Sequence, residues 1–222
     1  MPHEDRDLRQ RDLVPPQGLA RTRVTIIGVG AIGRQVALQL AAMGAPQLQL
    51  IDPQSVEPVN LAAQGYMHED LDQPKVEATA RMCSRLQPDI AIELVIGRFR
   101  RSFDVGNVIF CCVDSIATRE LIWNAVGVQA PLFVDGRMSA EMIRVLAVND
   151  QTTRNHYPST LFAPSEAHTG SCTGRSTLYT ANVAAGLMLA QFTRHLRNLP
   201  IDADVQLNLL SMELDITPLA GP

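Results

Sequence analysis

Residues Gly28-Val29-Gly30-Ala31-Ile32-Gly33 constrain this chain more than any other stretch. A β-rich run from Arg23 to Ile27 stops at Gly28, and Ala31 to Met43 then shows helical spacing with Ile32, Val36, Leu40 and Met43 on one face. Glycines between a strand and a helix allow a tight turn, let backbone N–H groups approach a phosphate, and permit close helix–sheet packing. Leu48 to Ile51 reads as a second short strand ending at Asp52, and an acid about 20 positions beyond such a loop is placed to bind ribose hydroxyls. A glycine turn without a ligand is the alternative. The fingerprint points to a nucleotide and leaves open which one.

The remaining pattern sets the fold class. Pro74 to Leu86 reads as a helix with proline at its first turn, Ile90 to Ile96 as a strand, and Asn107 to Val113 as a strand apolar enough to be buried on both faces. Ser115 to Val126 is helical and Pro131 to Val134 is strand again. This alternation predicts an α/β, Rossmann-like, mostly parallel sheet with helices on both faces. After Asp135 the pattern changes: a strand at Met142 to Val148, a loop-like stretch at Asp150 to Ser171, a long late helix at Thr173 to Leu196, and alternating apolar residues from Val205 to Leu214. The expected organisation is an N-terminal arm over residues 1–22, closed by Pro15-Pro16, and a single domain over 23–217 with a crossover loop at 150–173 and antiparallel C-terminal strands.

Composition narrows the partners. With 46% hydrophobic and 19% charged residues, 222 residues suit one folded domain and exclude a largely disordered chain. A net charge of −4 gives no global attraction to nucleic acid or to acidic membranes. The apolar stretch from Ala181 to Phe192 is too short to span a bilayer. Cys83, Cys111, Cys112 and Cys172 form no CxxC pair, which argues against zinc, and a cytoplasmic location with reduced thiols is expected.

Two features weigh against NAD as the nucleotide. Asp52 is followed by a loop carrying Asn60, and Pro74-Lys75 opens the next helix. A cation on that first turn opposes the helix dipole unless it reaches an anion, so Lys75 suggests a polyphosphate such as ATP. Asp114, at the carboxyl end of the buried strand, is placed either to hold Mg²⁺ against phosphates or to cap the following helix.

Together these residues resemble the ThiF/MoeB/HesA superfamily, whose fold is shared with ubiquitin-activating enzymes. The resemblance rests on Arg6-Asp7-Leu8-Arg9-Gln10 for the arm R-x-x-R-Q, Gly28, Gly30 and Gly33 for GxGxxG, and Asp52. It continues with the loop Asn60-Leu61-Ala62-Ala63-Gln64 for N-L-x-R-Q, Asp72-Gln73-Pro74-Lys75-Val76 for G-x-P-K-V, and Asp114, Thr118 and Arg119 for D-x-x-x-T-R. It implies adenylation of the C-terminal glycine of a ubiquitin-like or sulfur-carrier protein by Mg·ATP. Gly28, Gly30, Ala31 and Gly33 would cradle the nucleotide, Asp52 would hold its ribose, Asn60, Gln64 and Lys75 would line the triphosphate, and Asp114 would hold Mg²⁺. Arg9 would reach the partner's phosphates in a homodimer. The position matching the family lysine holds the only lysine among 19 basic residues, the other 18 being arginine. A compact ammonium suits a phosphate oxygen in a tight site where a guanidinium fork does not.

Two departures stand out. Ala63 replaces the loop arginine, so Arg98, Arg101 or Arg119 must substitute or adenylation is weakened. The absence of CxxC pairs places the chain in a zinc-free branch. By position Cys172 matches the loop cysteine that takes the acyl group in ThiF-like members; a packing or capping cysteine is the alternative. Two other functions stay open: an inactive scaffold that docks a carrier, and an NAD-dependent oxidoreductase. The carrier and a downstream transfer enzyme would be separate partners.

Overall fold

The computed structural model describes residues 6–161 and 176–218. Residues 6–14 run as turns into a one-turn helix, α1 (Pro16–Leu19), which begins on a proline whose φ is preset for that position. Val14 and Leu19 are buried in the main core, and Gln10 Nε2 and Arg6 Nη2 donate to the Met43 and Ala42 carbonyls. From Arg6 onward the segment read as an arm is docked against the domain.

The elements that follow are β1 (Val24–Ile27), α2 (Ala31–Met43), β2 (Gln47–Asp52), α3 (Pro58–Gln64), α4 (Lys75–Leu86) and β3 (Ala91–Ile96). Then come β4 (Val108–Cys111), α5 (Ile116–Ile122), β5 (Leu132–Ser139), β6 (Met142–Val148), α6 (Gln151–His156), α7 (Leu178–Leu196), β7 (Asp204–Asn208) and β8 (Glu213–Ile216). Among the described residues the strands form one sheet in the order β3-β2-β1-β4-β5-β6-β7-β8. The first five in that order pair in parallel and the last three join antiparallel. In β1, Val24 lies opposite Leu48 on one side and Val108 on the other.

Every residue of β1 and β4 is buried, because helices cover both faces of the sheet. Ile26, Leu50, Phe110 and Val134 face Val36 and Leu40 of α2, Val76 of α4, and Ala184, Met188 and Phe192 of α7. The neighbouring Ile27, Ile51, Ile109 and Phe133 point the other way, toward Trp123 and Tyr157. There Trp123 packs on Phe133 and Tyr157 with ring centroids 5.4 and 4.5 Å apart.

The chain moves from β1 out to β3 and then crosses back to β4 on the far side of β1. The carboxyl ends of β1 and β4 therefore flank the point where strand order reverses, and a ligand crevice lies outside the sheet at such a point. This is what positions the glycine loop beside Asp114.

Three stretches differ from the sequence expectation. Residues 58–64 are helix rather than loop: Pro58 occupies the first turn, and Glu57 and Asn60 cap each other reciprocally. Residues 151–160 are not loop but α6 and a 3₁₀ turn (Tyr157–Thr160), launched by Asp150 Oδ1 accepting from the Thr153 N–H at 2.8 Å. Residues 205–214 are not one run but a hairpin, because Asn208 Oδ1 takes the Leu210 and Ser211 N–H groups and turns the chain into β8. Among the described residues no helix is long and apolar enough to cross a membrane.

Candidate nucleotide site

The glycines of the loop have different tasks. Gly28 has φ +89°, and a Cβ there would lie 2.8 Å from the Cys112 carbonyl oxygen. A Cβ on Gly33 would fall 1.9 Å from the Gly28 carbonyl oxygen, so α2 can rest on its own loop only through glycine. Gly30 is not required by packing in this way. The nearest atom to a Cβ there is Gln64 Oε1, at 3.9 Å. The space over Gly30 adjoins the start of α2, where the first helical bond runs from the Arg34 N–H to the Gly30 carbonyl at 3.0 Å. The N–H groups of Ala31, Ile32 and Gly33 precede that bond and have no intrahelical acceptor, which makes the loop an anion cradle.

Asp52 anchors the loop from the next strand. It is buried, its Oδ2 accepts from the Val29 N–H at 2.7 Å, and its Oδ1 accepts from the Gln54 N–H at 2.8 Å. Each oxygen keeps a further lone pair for a hydroxyl. Lys75, the first residue of α4, is 3% exposed. Gln54 fixes it twice, its carbonyl accepting from the Lys75 N–H at 2.9 Å and its Oε1 accepting from Nζ at 2.8 Å. Burial pulls the Lys75 pKa down, and the charges of Asp52, Glu57 and Asp114 oppose that pull. The charges of these acids act on Lys75 from a distance: among the described residues none forms an ion pair with it.

Asp114 lies past the end of β4 and is exposed. The cap of α5 is Ser115, whose Oγ accepts from the Thr118 N–H at 3.4 Å, so the capping role belongs to Ser115, and among the described residues the Asp114 carboxylate has no hydrogen-bond partner. An exposed, acceptor-only carboxylate beside a phosphate cradle suits Mg²⁺, which takes one or two protein carboxylates and completes its shell with water and phosphate oxygens.

On α3, Asn60 Oδ1 accepts from the Glu57 N–H at 2.9 Å, which leaves its Nδ2 to face a ligand. Gln64 Oε1 is buried without a hydrogen-bond partner, an arrangement that protein interiors avoid. It is the atom nearest the open space over Gly30, so the structure brings Gln64 to the loop. Ala63 sits one residue earlier, its carbonyl 3.5 Å from Ser176 Oγ.

The expectation that Arg119 could supply the cation missing at Ala63 is overturned. Arg119 is buried, ion-paired with Asp135, and bonded to the Val113 and Gly136 carbonyls. Arg137 and Tyr157 hold the other Asp135 oxygen, each at 2.8 Å, so this cluster braces the middle of β5. Arg98 and Arg101 are exposed, and Arg98 follows Gly97, whose N–H donates to the Asp52 carbonyl at 3.2 Å.

Arg9 is exposed on the segment docked at the C-terminal end of α2, whereas the glycine loop is at its N-terminal end. Thirteen helical residues separate the two by about 20 Å. The structure therefore does not bring Arg9 to the site of its own chain. Cys172 lies outside the described residues. Cys83 and Cys111 are buried, and burial raises both thiol pKa values, that of Cys83 to about 12. Sequence reasoning passed over Gln54 as the partner of Lys75 and over Arg34, whose one signal was a cation directly after the last glycine of the loop.

Residues 7–212 match the ThiF family. The sulfur carrier protein ThiS adenylyltransferase of Escherichia coli (strain K12) is 33% identical over 52% of this chain and 49% of its own length. The SAMP-activating enzyme E1 of Haloferax volcanii is 35% identical over 50% of this chain and 44% of its own. The chain thus spans about half the length of the curated relatives it matches. Among solved structures, E. coli MccB with ATP superposes with a TM-score of 0.77 at 15% identity, covering 98% of this chain and 72% of that one. PaaA follows with a TM-score of 0.73 at 18% identity, over 91% and 65%. At these identities the likeness is one of fold.

Proposed function

The chain belongs to the ThiF family, and on that premise we propose that it uses Mg·ATP to adenylate the C-terminal glycine of a ubiquitin-like or sulfur-carrier protein. The observation that carries this reading is Lys75. A buried ammonium under the charges of Asp52, Glu57 and Asp114, which among the described residues hydrogen-bonds through Nζ only to an amide oxygen, suits a polyphosphate and its metal better than a dinucleotide already cradled by the loop. Curated relatives named as a sulfur-carrier adenylyltransferase and as an activating enzyme support it.

In this account the carrier carboxylate oxygen attacks the α-phosphorus, the bond from the α-phosphorus to the bridging oxygen breaks, and pyrophosphate leaves. No proton has to move, so the protein's tasks are alignment and charge stabilisation. The amides at the start of α2 and the Lys75 ammonium hold the phosphates, Asn60 Nδ2 and Gln64 line them, and Asp52 takes the ribose. Asp114 would hold Mg²⁺, which when bound neutralises phosphate oxygens.

Two finer elements belong to the same proposal. Arg9 completes the site of a second copy, because it is remote from its own. Cys172, as thiolate, attacks the acyl-adenylate carbonyl, releasing AMP and leaving a thioester. A Cys172→Ser variant that still forms a reducing-agent-sensitive adduct eliminates that step.

Ala63 favours a second reading, a scaffold that binds a carrier without activating it. Exchange of labelled pyrophosphate into ATP, with ubiquitin-like proteins ending in glycine, separates the two. Carrier-dependent exchange supports the enzyme, and carrier binding without exchange supports the scaffold.

A further inference from the structure

Arg34 heads the largest fully buried side chains of the described residues, at 1% exposure. It stands on α2 directly after Gly33, one turn past Gly30. Its Nε donates to the Gly65 carbonyl and its Nη1 to Thr79 Oγ1, both at 3.2 Å, and its guanidinium carbon lies 4.1 Å from the Tyr66 ring centroid. All three partners are neutral. The acid Asp70 contributes only at longer range and is itself ion-paired with Arg81 at 2.8 Å. Among the described residues no carboxylate forms an ion pair with Arg34. A buried charge left without a counter-ion is costly and is normally paired.

The surroundings say where the counter-ion belongs. Tyr66, which carries the guanidinium on its ring, donates its hydroxyl to the Val29 carbonyl at 2.6 Å. Val29 lies inside the glycine loop, and its own N–H is the one held by Asp52. Helical side chains lean toward the N-terminus of their helix, so Arg34 on α2 leans under the loop. The charge is thus joined through Tyr66 to the loop whose Ala31, Ile32 and Gly33 N–H groups have no intrahelical acceptor, in a low-dielectric setting where its field carries far.

We propose that Arg34 is the buried counter-charge for the phosphates held on the glycine loop. It acts from below through Tyr66 and Val29 without touching the ligand, which makes it a positioning residue. This inference rests on the nucleotide reading above and adds to it the source of a cation that Ala63 does not supply and Arg119 cannot.

The test is calorimetric binding of Mg·ATP, inorganic tripolyphosphate and adenosine to the wild type, Arg34→Lys and Arg34→Gln. Gln places an amide N–H near the position of Nε, within reach of the Gly65 carbonyl, but loses the charge; Lys retains the charge. The expected result is a loss of about tenfold or more in ATP and tripolyphosphate affinity for Arg34→Gln, with adenosine affinity unchanged and Arg34→Lys within about threefold of wild type. Unchanged ATP affinity in Arg34→Gln, equal effects of Gln and Lys, or equal losses for ATP and adenosine overturn it. Should Arg34→Gln fail to fold, Tyr66→Phe keeps the ring and removes the link to Val29. That variant is expected to lose tripolyphosphate affinity with adenosine binding intact, and wild-type affinity for both overturns the inference. A wild type that binds neither ATP nor tripolyphosphate removes the nucleotide reading and this inference together, whereas ATP binding indifferent to Arg34 removes this inference alone.

Discussion

Asp52 and Val29 are joined by a 2.7 Å hydrogen bond from the Val29 N–H to Asp52 Oδ2, so the acid that ends β2 holds the loop that ends β1. Its other oxygen takes the Gln54 N–H, which sets the loop that presents Gln54 to Lys75. Before any ligand is considered, Asp52 organises both walls of the crevice. Asp52→Ala strips the acceptor from the buried Val29 N–H and from the Gln54 N–H, and is expected to destabilise the fold by about 1–3 kcal/mol in urea unfolding, with Asp52→Asn losing less. Wild-type stability in Asp52→Ala would show that the acid serves only a ligand.

Gly30 and Gly33 are predicted to separate ligand from fold. Gly30→Ala places a methyl in open space, 3.9 Å from Gln64 Oε1, so it should cost about 1 kcal/mol or less in stability while filling the phosphate cradle and lowering ATP affinity. Gly33→Ala meets the Gly28 carbonyl at 1.9 Å and should be poorly folded. Thermal melts with and without Mg·ATP check both, and a Gly30→Ala protein that binds ATP normally refutes this use of the loop.

Lys75 gives a pH signature. Burial lowers its folded pKa below the ordinary 10.5, so between those two values the unfolded chain carries more protons and stability rises with pH. Denaturant midpoints measured as pH rises toward 10.5 should climb more in the wild type than in Lys75→Met. Parallel profiles for the two proteins would contradict the buried position. Lys75→Arg, which keeps the charge but brings a fork into the space beside Gln54, is expected to impair adenylation.

Arg119 is predicted to be structural. Removing it leaves Asp135 buried with one oxygen unpaired, so Arg119→Ala should lose about 3–5 kcal/mol, as broken buried ion pairs do. A near-normal melting temperature with a specific loss of ATP binding would return Arg119 to the phosphate site.

The parts of this fold visible in the sequence are those where local chemistry and tertiary role agree. Gly33 is demanded by the Gly28 carbonyl and Gly28 by its own φ of +89°, both within one strand–turn–helix unit, so spacing alone revealed them, although the approach of Cys112 to Gly28 could not be read there. The apolar runs at 24–27 and 108–111 are continuous because both faces of their strands are covered. Where polar residues do structural work the pattern was silent. Helix α3 rests on a cap between Glu57 and Asn60, and α6 on one between Asp150 and Thr153, both embedded in polar stretches that read as loop. At the site, Asp114 and Ser115 are adjacent and either type can cap a helix, so only geometry assigns the cap to Ser115. Arg34 and Arg119 look alike in sequence as single cations on amphipathic helices. Their difference, one without an ion partner among the described residues and one paired to Asp135, arises from contacts 16 to 45 residues away in the chain.

The central claim is that the glycine loop, Lys75 and Asp114 form a site for Mg·ATP, and calorimetric titration of the full chain with ATP at saturating Mg²⁺, alongside NADH, tests it most directly. The account predicts saturable ATP binding that weakens when Mg²⁺ is withdrawn or Asp114 is changed to Asn, with no heat from NADH. NADH binding, or no ATP binding at saturating Mg²⁺, would contradict it.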